Sequence, residues 1–433
     1  MFNSKALTLN SNNHLTIGGC DCMELSMKYG TPLYVMDEGL IRENCRNYTD
    51  ALAKHYKGKG LVLYASKAFC TIAMCNLVKD EGMGLDVVSG GELYTAIKAG
   101  FPMDKIYFHG NNKTYEEIEL AINNNVGRIV VDNVEELETI NSIALIFDKT
   151  INISFRIKPG IEAHTHDFTK TGQIDSKFGV ALENGEAYEI IKMASKMSNV
   201  SVKGIHCHIG SQIFELAPFQ TAAEVMIDLM VKVKKELNIE ITELNLGGGF
   251  GIKYIDEDTP LECEDYIKAV VESVKGECAK NNYNLPVLLF EPGRSIVGSA
   301  GITLYTVGAV KDIKNVRKYV SVDGGMTDNP RYALYNAKYD AVLASRPCDE
   351  KTETFTIAGK CCESGDLLIK DIKLPKIKAG DLLAVLATGA YNYSMSSNYN
   401  RTPRPPVLFV SNGSSRIVVK RETYDDIVRN DLQ

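Results

Sequence analysis

The sequence predicts an α/β fold: a (β/α)8 TIM-type barrel joined to a mostly β domain, sandwich- or barrel-like, that the N-terminal strands complete. Three observations lead there. Eight short apolar runs alternate with amphipathic helical patterns between residues 61 and 292. Those runs are apolar on both faces, the mark of parallel strands covered by helices on either side. From about residue 301 helical periodicity gives way to strand-like runs separated by turns. The expected division is a barrel at 33–296 and a β domain at 1–32 plus 297–433, and a closed barrel of this kind usually takes about 250 residues.

Residues 1–32 carry short alternating runs such as His14-Leu15-Thr16-Ile17, too small a piece to fold alone. A helical pattern covers 39–56. Strands are then expected at 61–67, 85–89, 106–110, 128–133, 153–159, 202–208, 241–248 and 287–292. Helical patterns lie between them near 72–81, 91–99, 114–125, 134–147, 184–197, 215–237 and 262–280. The helix at 39–56 fills the remaining place in the ring, ahead of the first strand. In the second domain the runs 303–310, 317–322, 354–357, 382–386 and 416–420 have strand character.

Composition narrows the function classes. The chain of 433 residues is 45% hydrophobic and 24% charged, with a formal net charge of −7, an ordinary globular balance. Neither that charge nor any basic run suggests a nucleic acid or a membrane surface as partner. Met1-Phe2-Asn3-Ser4-Lys5 lacks the apolar core of a signal peptide. No apolar run approaches the roughly 20 residues of a membrane helix. The 11 cysteines are scattered without metal-site spacing, and Cys20-Asp21-Cys22 and Cys361-Cys362 are too close for ordinary bridges or zinc pairs. Reduced thiols in a cytoplasmic protein are expected.

A barrel carries its chemistry at the C-terminal ends of its strands. Those ends read Lys67, Asp86 to Ser89, His109-Gly110, Asp132-Asn133, Arg156 to Lys158, His206-Cys207-His208, Gly247-Gly248-Gly249 and Glu291-Pro292-Gly293-Arg294. The opposite ends, such as Asn284-Leu285-Pro286, are plain turns. Lys67 closes the apolar run Leu61-Val62-Leu63-Tyr64-Ala65. Desolvation there favours a nucleophilic neutral amine of the kind Schiff-base chemistry needs, although a lysine ending a strand also reads as a snorkelling cap. Gly247-Gly248-Gly249-Phe250-Gly251 reads as a phosphate cradle or as a glycine-rich turn. The residues after it, Lys253-Tyr254 and Asp256-Glu257-Asp258, are a poor helix start for a dinucleotide fingerprint. Glu291 and Arg294 read as a mutual ion pair, or as a carboxylate facing a heterocycle nitrogen beside a guanidinium facing an anion. His206 and His208 share a face; they read as metal ligands lacking a third partner at helical spacing, as core histidines, or as a ring stacked on a planar cofactor. Cys361-Cys362-Glu363-Ser364-Gly365-Asp366 reads as a turn, or as a proton-transferring thiol beside an acid that recognises an amine.

Taken in order, these motifs resemble the pyridoxal-phosphate enzymes of alanine-racemase-like fold, and within them the ornithine/diaminopimelate/arginine decarboxylase group. The resemblance covers nearly the whole chain. It is carried by Tyr64-Ala65-Ser66-Lys67, by Asp86-Val87-Val88-Ser89-Gly90-Gly91-Glu92 and by His109-Gly110-Asn111-Asn112-Lys113. It continues through Pro159-Gly160, Ala163-His164-Thr165-His166 and Lys177-Phe178-Gly179, then His206 to Gln212, Glu291 to Arg294 and Cys362-Glu363-Ser364. Gly389-Ala390-Tyr391 and Ser397-Asn398-Tyr399-Asn400 complete it. One element departs: the family usually reads Asp-x-x-Arg-Pro-x-Leu-Tyr, whereas here Asp328-Asn329-Pro330-Arg331-Tyr332-Ala333-Leu334-Tyr335 puts the proline ahead of the arginine.

The resemblance implies pyridoxal 5'-phosphate as cofactor and decarboxylation of meso-2,6-diaminopimelate to L-lysine and carbon dioxide. Decarboxylation of ornithine, arginine or a carboxylated polyamine is an alternative, and a non-catalytic paralogue another. Lys67 would form the Schiff base, His208 would stack on the pyridine ring and Glu291 would hold its nitrogen, with Asp86 also at the cofactor. Ser211, Gly248, Gly249, Gly293 and Tyr391, with Arg294, would hold the phosphate. Arg294, Arg331, Tyr335, Glu363 and Tyr391 would bind the substrate. Cys362 would act in catalysis, reaching in with Glu363 from the partner subunit of a homodimer. No metal is implied.

Overall fold

The computed structural model describes residues 2, 4–161 and 175–432. The motif stretch Ala163-His164-Thr165-His166 lies outside the described residues. The contacts divide the chain into two units, one of residues 45–251 and 260–293, the other of residues 1–44, 252–259 and 294–433.

The first unit is a closed parallel barrel. Its strands are β1 (Gly60–Ala65), β2 (Gly84–Val87), β3 (Ile106–Phe108), β4 (Arg128–Val131), β5 (Ile151–Lys158), β6 (Val200–His206), β7 (Glu243–Asn245) and β8 (Val287–Phe290). Each pairs in parallel with the next, and β8 returns to β1 through Leu288↔Gly60 and Phe290↔Val62. The ring is therefore closed and has no edge to protect. The expected eight strands are all present. Strands end short of the expected 61–67 and 241–248: β1 stops at Ala65 and β7 at Asn245, because the residues beyond them turn to form the mouth. Capped helices follow the strands: Thr71, Ser89, Thr114 and Asn133 each accept a backbone N–H at a helix start, satisfying donors that the first turn leaves open. The helix Glu38–His55 precedes β1. Its last turn is fastened to the helix Cys263–Lys280, Lys54 Nζ and His55 Nε2 lying 2.6 and 2.8 Å from Glu264 Oε1. It thus takes the eighth place in the ring.

Strand alternation layers the barrel interior. Leu63, Tyr107, Val130 and Leu289 pack together as an apolar plug. Two residues toward the strand N-termini, Arg128 Nε donates to Glu243 Oε2 at 2.9 Å. Two residues the other way, Tyr107, Val130 and Leu289 are succeeded by His109, Asp132 and Glu291. The polar layer at the mouth is thus the next step of the period that builds the plug.

The second unit is built on a sheet with strand order Leu367–Leu374, Glu353–Ala358, Arg317–Val322, Gly301–Ile313, Leu33–Asp37, Val407–Ser411, Ser414–Val419. Leu382–Val385 also pairs with Gly301–Ile313. Leu33–Asp37 lies antiparallel to residues 301–304 and parallel to residues 407–410. This differs from the expected division at residue 33. The apolar run Leu33-Tyr34-Val35-Met36 reads like any buried strand, and its partners lie hundreds of residues away. The segment 252–259 also joins this unit, although it falls inside the span expected for the barrel.

Candidate active site

The barrel mouth holds one group of predicted residues. Lys67 lies on a 3-10 turn, Ser66–Ala68, directly after β1. Ser66 Oγ fastens that turn to β2, lying 2.7 Å from both Asp86 O and Glu92 Oε2. Lys67 Nζ is 3.7 Å from the buried Asp86 Oδ2, and the lysine side chain keeps 39% exposure. The amine is therefore less desolvated than a strand-end lysine would be. Burial raises the Asp86 pKa, against the pull of His109 and Lys67.

Glu291, just past β8, is the most elaborately held group. Asn245 Nδ2 donates to its Oε1 at 2.7 Å, and His206 Nε2 is hydrogen-bonded to its Oε2 at 3.0 Å. His109 Nε2 lies 2.8 Å from Oε1. Burial alone would push this carboxyl up; the imidazoles of His109 and His206, with their hydrogen bonds, hold it well below the usual carboxylate range. Burial also takes His206 down to about 4. The centre is an ionised carboxylate inside a cage of ring N–H and amide donors. Arg294 Nη1 donates to Tyr254 Oη at 2.6 Å. Ligand atoms of His109, His206 and Glu291 lie within 4.8 Å of one another, and His208, the expected partner of His206, is not in that group.

His208 lies past β6, half-buried, and its Nδ1 accepts the Gly248 N–H at 3.4 Å. Burial, with the charges of Lys67 and Arg156, holds it well below its ordinary pKa, so the ring is neutral. Glycine is obligatory in the adjoining loop. A Cβ on Gly248 would fall on Glu291 O, and Gly249, with φ of +108°, would place one on Gly210 O. The loop is hydrogen-bonded to β8, Glu291 N donating to Gly247 O at 2.7 Å. Gly248→Ala is accordingly expected to cost about 1–3 kcal/mol of stability, and calorimetry would register a lowered thermal midpoint. An unchanged midpoint would mean that the loop yields. Gly293 lets the chain pass Ala65, whose Cβ a side chain there would meet at 3.0 Å. Ser211 is half-buried on the turn after β6.

The second unit holds the other group. Arg294 Nη1 and Arg331 Nη1 both donate to Tyr254 Oη, at 2.6 and 3.1 Å. Arg331 Nη1 also donates to Tyr339 Oη at 2.5 Å. The Tyr391 ring lies 4.8 Å from the Arg294 guanidinium and 6.0 Å from that of Arg331. Burial would raise the Tyr254 phenol; the two guanidiniums bring it below its ordinary pKa. Tyr391 adopts φ of +67°, a conformation that non-glycine residues hold only where their surroundings impose it. Pro330 caps the short helix Arg331–Tyr335, so the displaced proline starts the helix and leaves the arginine buried. The phenols that meet Arg331 are Tyr254 and Tyr339. The Tyr335 side chain is half-buried and forms no hydrogen bond or ring contact among the described residues.

Cys362 and Glu363 are exposed on the turn 361–366. The buried Asp366 carboxylate fastens the turn by accepting the N–H groups of Met326 at 2.6 Å and Cys361 at 2.7 Å. Cys362 N donates to Asn400 Oδ1 at 2.7 Å. Burial beside Asp366 pushes the neighbouring Cys361 thiol up to about 11.

Sequence reasoning assigned no role to His109, Asn245, Tyr254 or Tyr339. The first two were open to detection, since alternation from Tyr107 and Glu243 aims them into the mouth. The tyrosines sit in irregular segments without a period.

A buried ionised carboxylate held by imidazole and amide groups, a neutral imidazole and a glycine cradle too tight for any side chain together suit a flat heterocycle that is protonated at nitrogen and carries a phosphate. Similarity to known proteins agrees. The family model described as pyridoxal-dependent decarboxylase, pyridoxal binding domain, matches residues 38–298. A diaminopimelate decarboxylase of Bacillus methanolicus is 54% identical over 414 residues, covering 96% of either chain. That of Bacillus subtilis is 51% identical, covering 98% of this chain and 96% of its own. The crystal structure of diaminopimelate decarboxylase from M. jannaschii in complex with L-lysine superposes with a TM-score of 0.93 at 38% identity, over 100% of this chain and 99% of that one.

Proposed function

The chain belongs to the pyridoxal-dependent decarboxylases, and from that premise we propose how its own residues perform the reaction for which its relatives are named. The reaction is the decarboxylation of meso-2,6-diaminopimelate to L-lysine and carbon dioxide, the last step of lysine biosynthesis, with pyridoxal 5'-phosphate as cofactor. When bound, the cofactor supplies an electron sink for the pair left behind as carbon dioxide departs.

The buried, ionised Glu291 is the observation that carries the most weight. A carboxylate so held favours a proton on a heterocycle nitrogen facing it, and that proton is what makes the ring a strong sink. Lys67 would tether the cofactor covalently, with Asp86, 3.7 Å from its amine, orienting it. His208, neutral, would cover the ring face without adding charge. The N–H groups of Gly248 and Gly249, with Ser211, Gly293, Arg294 and Tyr391, would receive the phosphate. Arg294 and Arg331 would take the distal carboxylate of the substrate, with Tyr335 and Tyr391 beside them and Glu363 on the distal ammonium. Buried guanidiniums favour a substrate that brings a carboxylate, which sets diaminopimelate above ornithine or arginine.

After carbon dioxide leaves, a proton must be delivered to the α-carbon, and Cys362 Sγ and Lys67 Nζ are the candidate donors. The exposure of Cys362 and Glu363 in the single chain supports a homodimer in which this turn serves the partner's site. Cys362→Ala is expected to lower kcat by about 10²-fold with KM little changed. Mixing that variant with Lys67→Ala chains should then restore about a quarter of wild-type activity through hybrid dimers. Mixtures with no more activity than either variant would place both residues in one chain's site. A cytoplasmic location is supported by the eleven cysteines, all of them free thiols. Among the described residues no helix is long and apolar enough to cross a membrane.

A further inference from the structure

We propose that Tyr254 is a specificity-determining positioning residue: its phenol oxygen yokes Arg294 and Arg331 into a single receptor for the distal carboxylate of the substrate. The proposal rests on the decarboxylase reading above and goes beyond it by naming what assembles the receptor.

Two guanidiniums brought together repel, and in a buried setting that repulsion is poorly screened. Some acceptor must therefore hold them in place. A carboxylate would do so by neutralising them, leaving little attraction for a substrate. A phenol does so while leaving the charge intact. The Tyr254 oxygen accepts from Arg294 Nη1 at 2.6 Å and from Arg331 Nη1 at 3.1 Å, using both of its acceptor sites. Its ring is also within cation–π range of the same cations, with guanidinium carbons 5.7 and 5.1 Å from the centroid. All three side chains belong to residues less than a tenth exposed.

Arg331 shows what remains for a ligand. Its Nη1 is occupied by the Tyr254 and Tyr339 phenols, and among the described residues it has no carboxylate partner. Its Nε and Nη2 form the edge that suits a bidentate carboxylate. Tyr339 is itself pinned by Asn392 Nδ2 at 3.2 Å, so the phenol array is fixed on both sides of the arginine.

The backbone delivers Tyr254 deliberately. After Gly251 the chain enters the segment 252–259, where the Asp258 carboxylate accepts the N–H groups of both Tyr254, at 2.9 Å, and Ile255, at 3.1 Å. That closed turn holds the tyrosine main chain without help from its hydroxyl. Removing the oxygen should therefore loosen the arginines and spare the fold.

Tyr254→Phe tests this. Steady-state kinetics on meso-2,6-diaminopimelate should show KM raised about tenfold and kcat within about twofold, because binding is weakened equally in ground and transition states. The inhibition constant of L-lysine, which keeps the distal amino-acid end, should rise by the same factor. The cofactor absorbance and the thermal midpoint should stay at wild-type values. An unchanged KM, or a fall in kcat with KM unchanged, overturns the proposal. Should the variant fold poorly, Asp258→Ala decides: it frees the turn that carries Tyr254 and keeps the phenol, so KM for diaminopimelate should rise with kcat kept, whereas an unchanged KM overturns the proposal. Wild-type protein inactive on diaminopimelate would instead defeat the decarboxylase reading, so the two failures are distinguishable.

Discussion

Lys67→Ala is expected to remove decarboxylation almost entirely, lowering kcat by at least about 10⁴-fold, the upper end of what one proton-transferring group contributes, with loss of covalent tethering added to it. The reason lies in the turn Ser66–Ala68. It puts the amine beside a buried acid, Asp86, at 3.7 Å, and Ser66 and Glu92 hold the turn from behind. Among the described residues no other lysine is set against Asp86 in this way: Lys113, the buried lysine of the next motif, is committed to Glu136 at 2.7 Å and to the Gly110 and Val130 carbonyls. The purified wild-type protein should carry the long-wavelength absorbance of lysine-bound cofactor, and the variant should lose it. A variant that released carbon dioxide at the wild-type rate would remove Lys67 from the reaction.

Glu291→Gln is the second large effect. The substitution keeps the shape and removes the charge. At the effective dielectric of a protein site, an ion pair at about 4 Å is worth about 4 kcal/mol, so kcat should fall by about 10² to 10³-fold. The amide would also turn an N–H toward Asn245 Nδ2 or His206 Nε2, both of which now face carboxylate oxygens. Proton linkage gives a further signature. The folded-state carboxyl lies below its ordinary value, so it stabilises the fold above the unfolded pKa of about 4.3, and that contribution is lost as pH falls through the folded value. The glutamine variant lacks it and should show a flatter loss of thermal midpoint on acidification. Full activity in Glu291→Gln would mean that the carboxylate faces nothing of consequence.

The barrel was legible because its signals are local and repeated. Each parallel strand is a short apolar run, and each turn after it is polar, so strand number and mouth position come from period two and from turn chemistry. Asp86, His109, His206 and Glu291 all sit within two residues of a strand's last position. What the sequence concealed depends on partners distant along the chain. Leu33–Asp37 gives no sign that it pairs with residues 301–304 and 407–410. Lys67 reads as the end of a strand because the run before it is apolar, yet the turn begins one residue earlier. Tyr254 comes after a glycine loop and Tyr339 after a short helix, and no periodicity marks either as a partner of Arg331. Which phenols reach the Arg331 guanidinium is likewise set by the fold, which brings Tyr254 and Tyr339 to it.

The most direct test is the reaction itself. Protein purified with pyridoxal 5'-phosphate is given meso-2,6-diaminopimelate, and carbon dioxide and L-lysine are both quantified, with ornithine and arginine as competing substrates. Equal amounts of carbon dioxide and L-lysine are expected from diaminopimelate, with turnover of the other two lower by about 10²-fold or more. No carbon dioxide from diaminopimelate, or faster turnover of ornithine or arginine, would contradict the assignment.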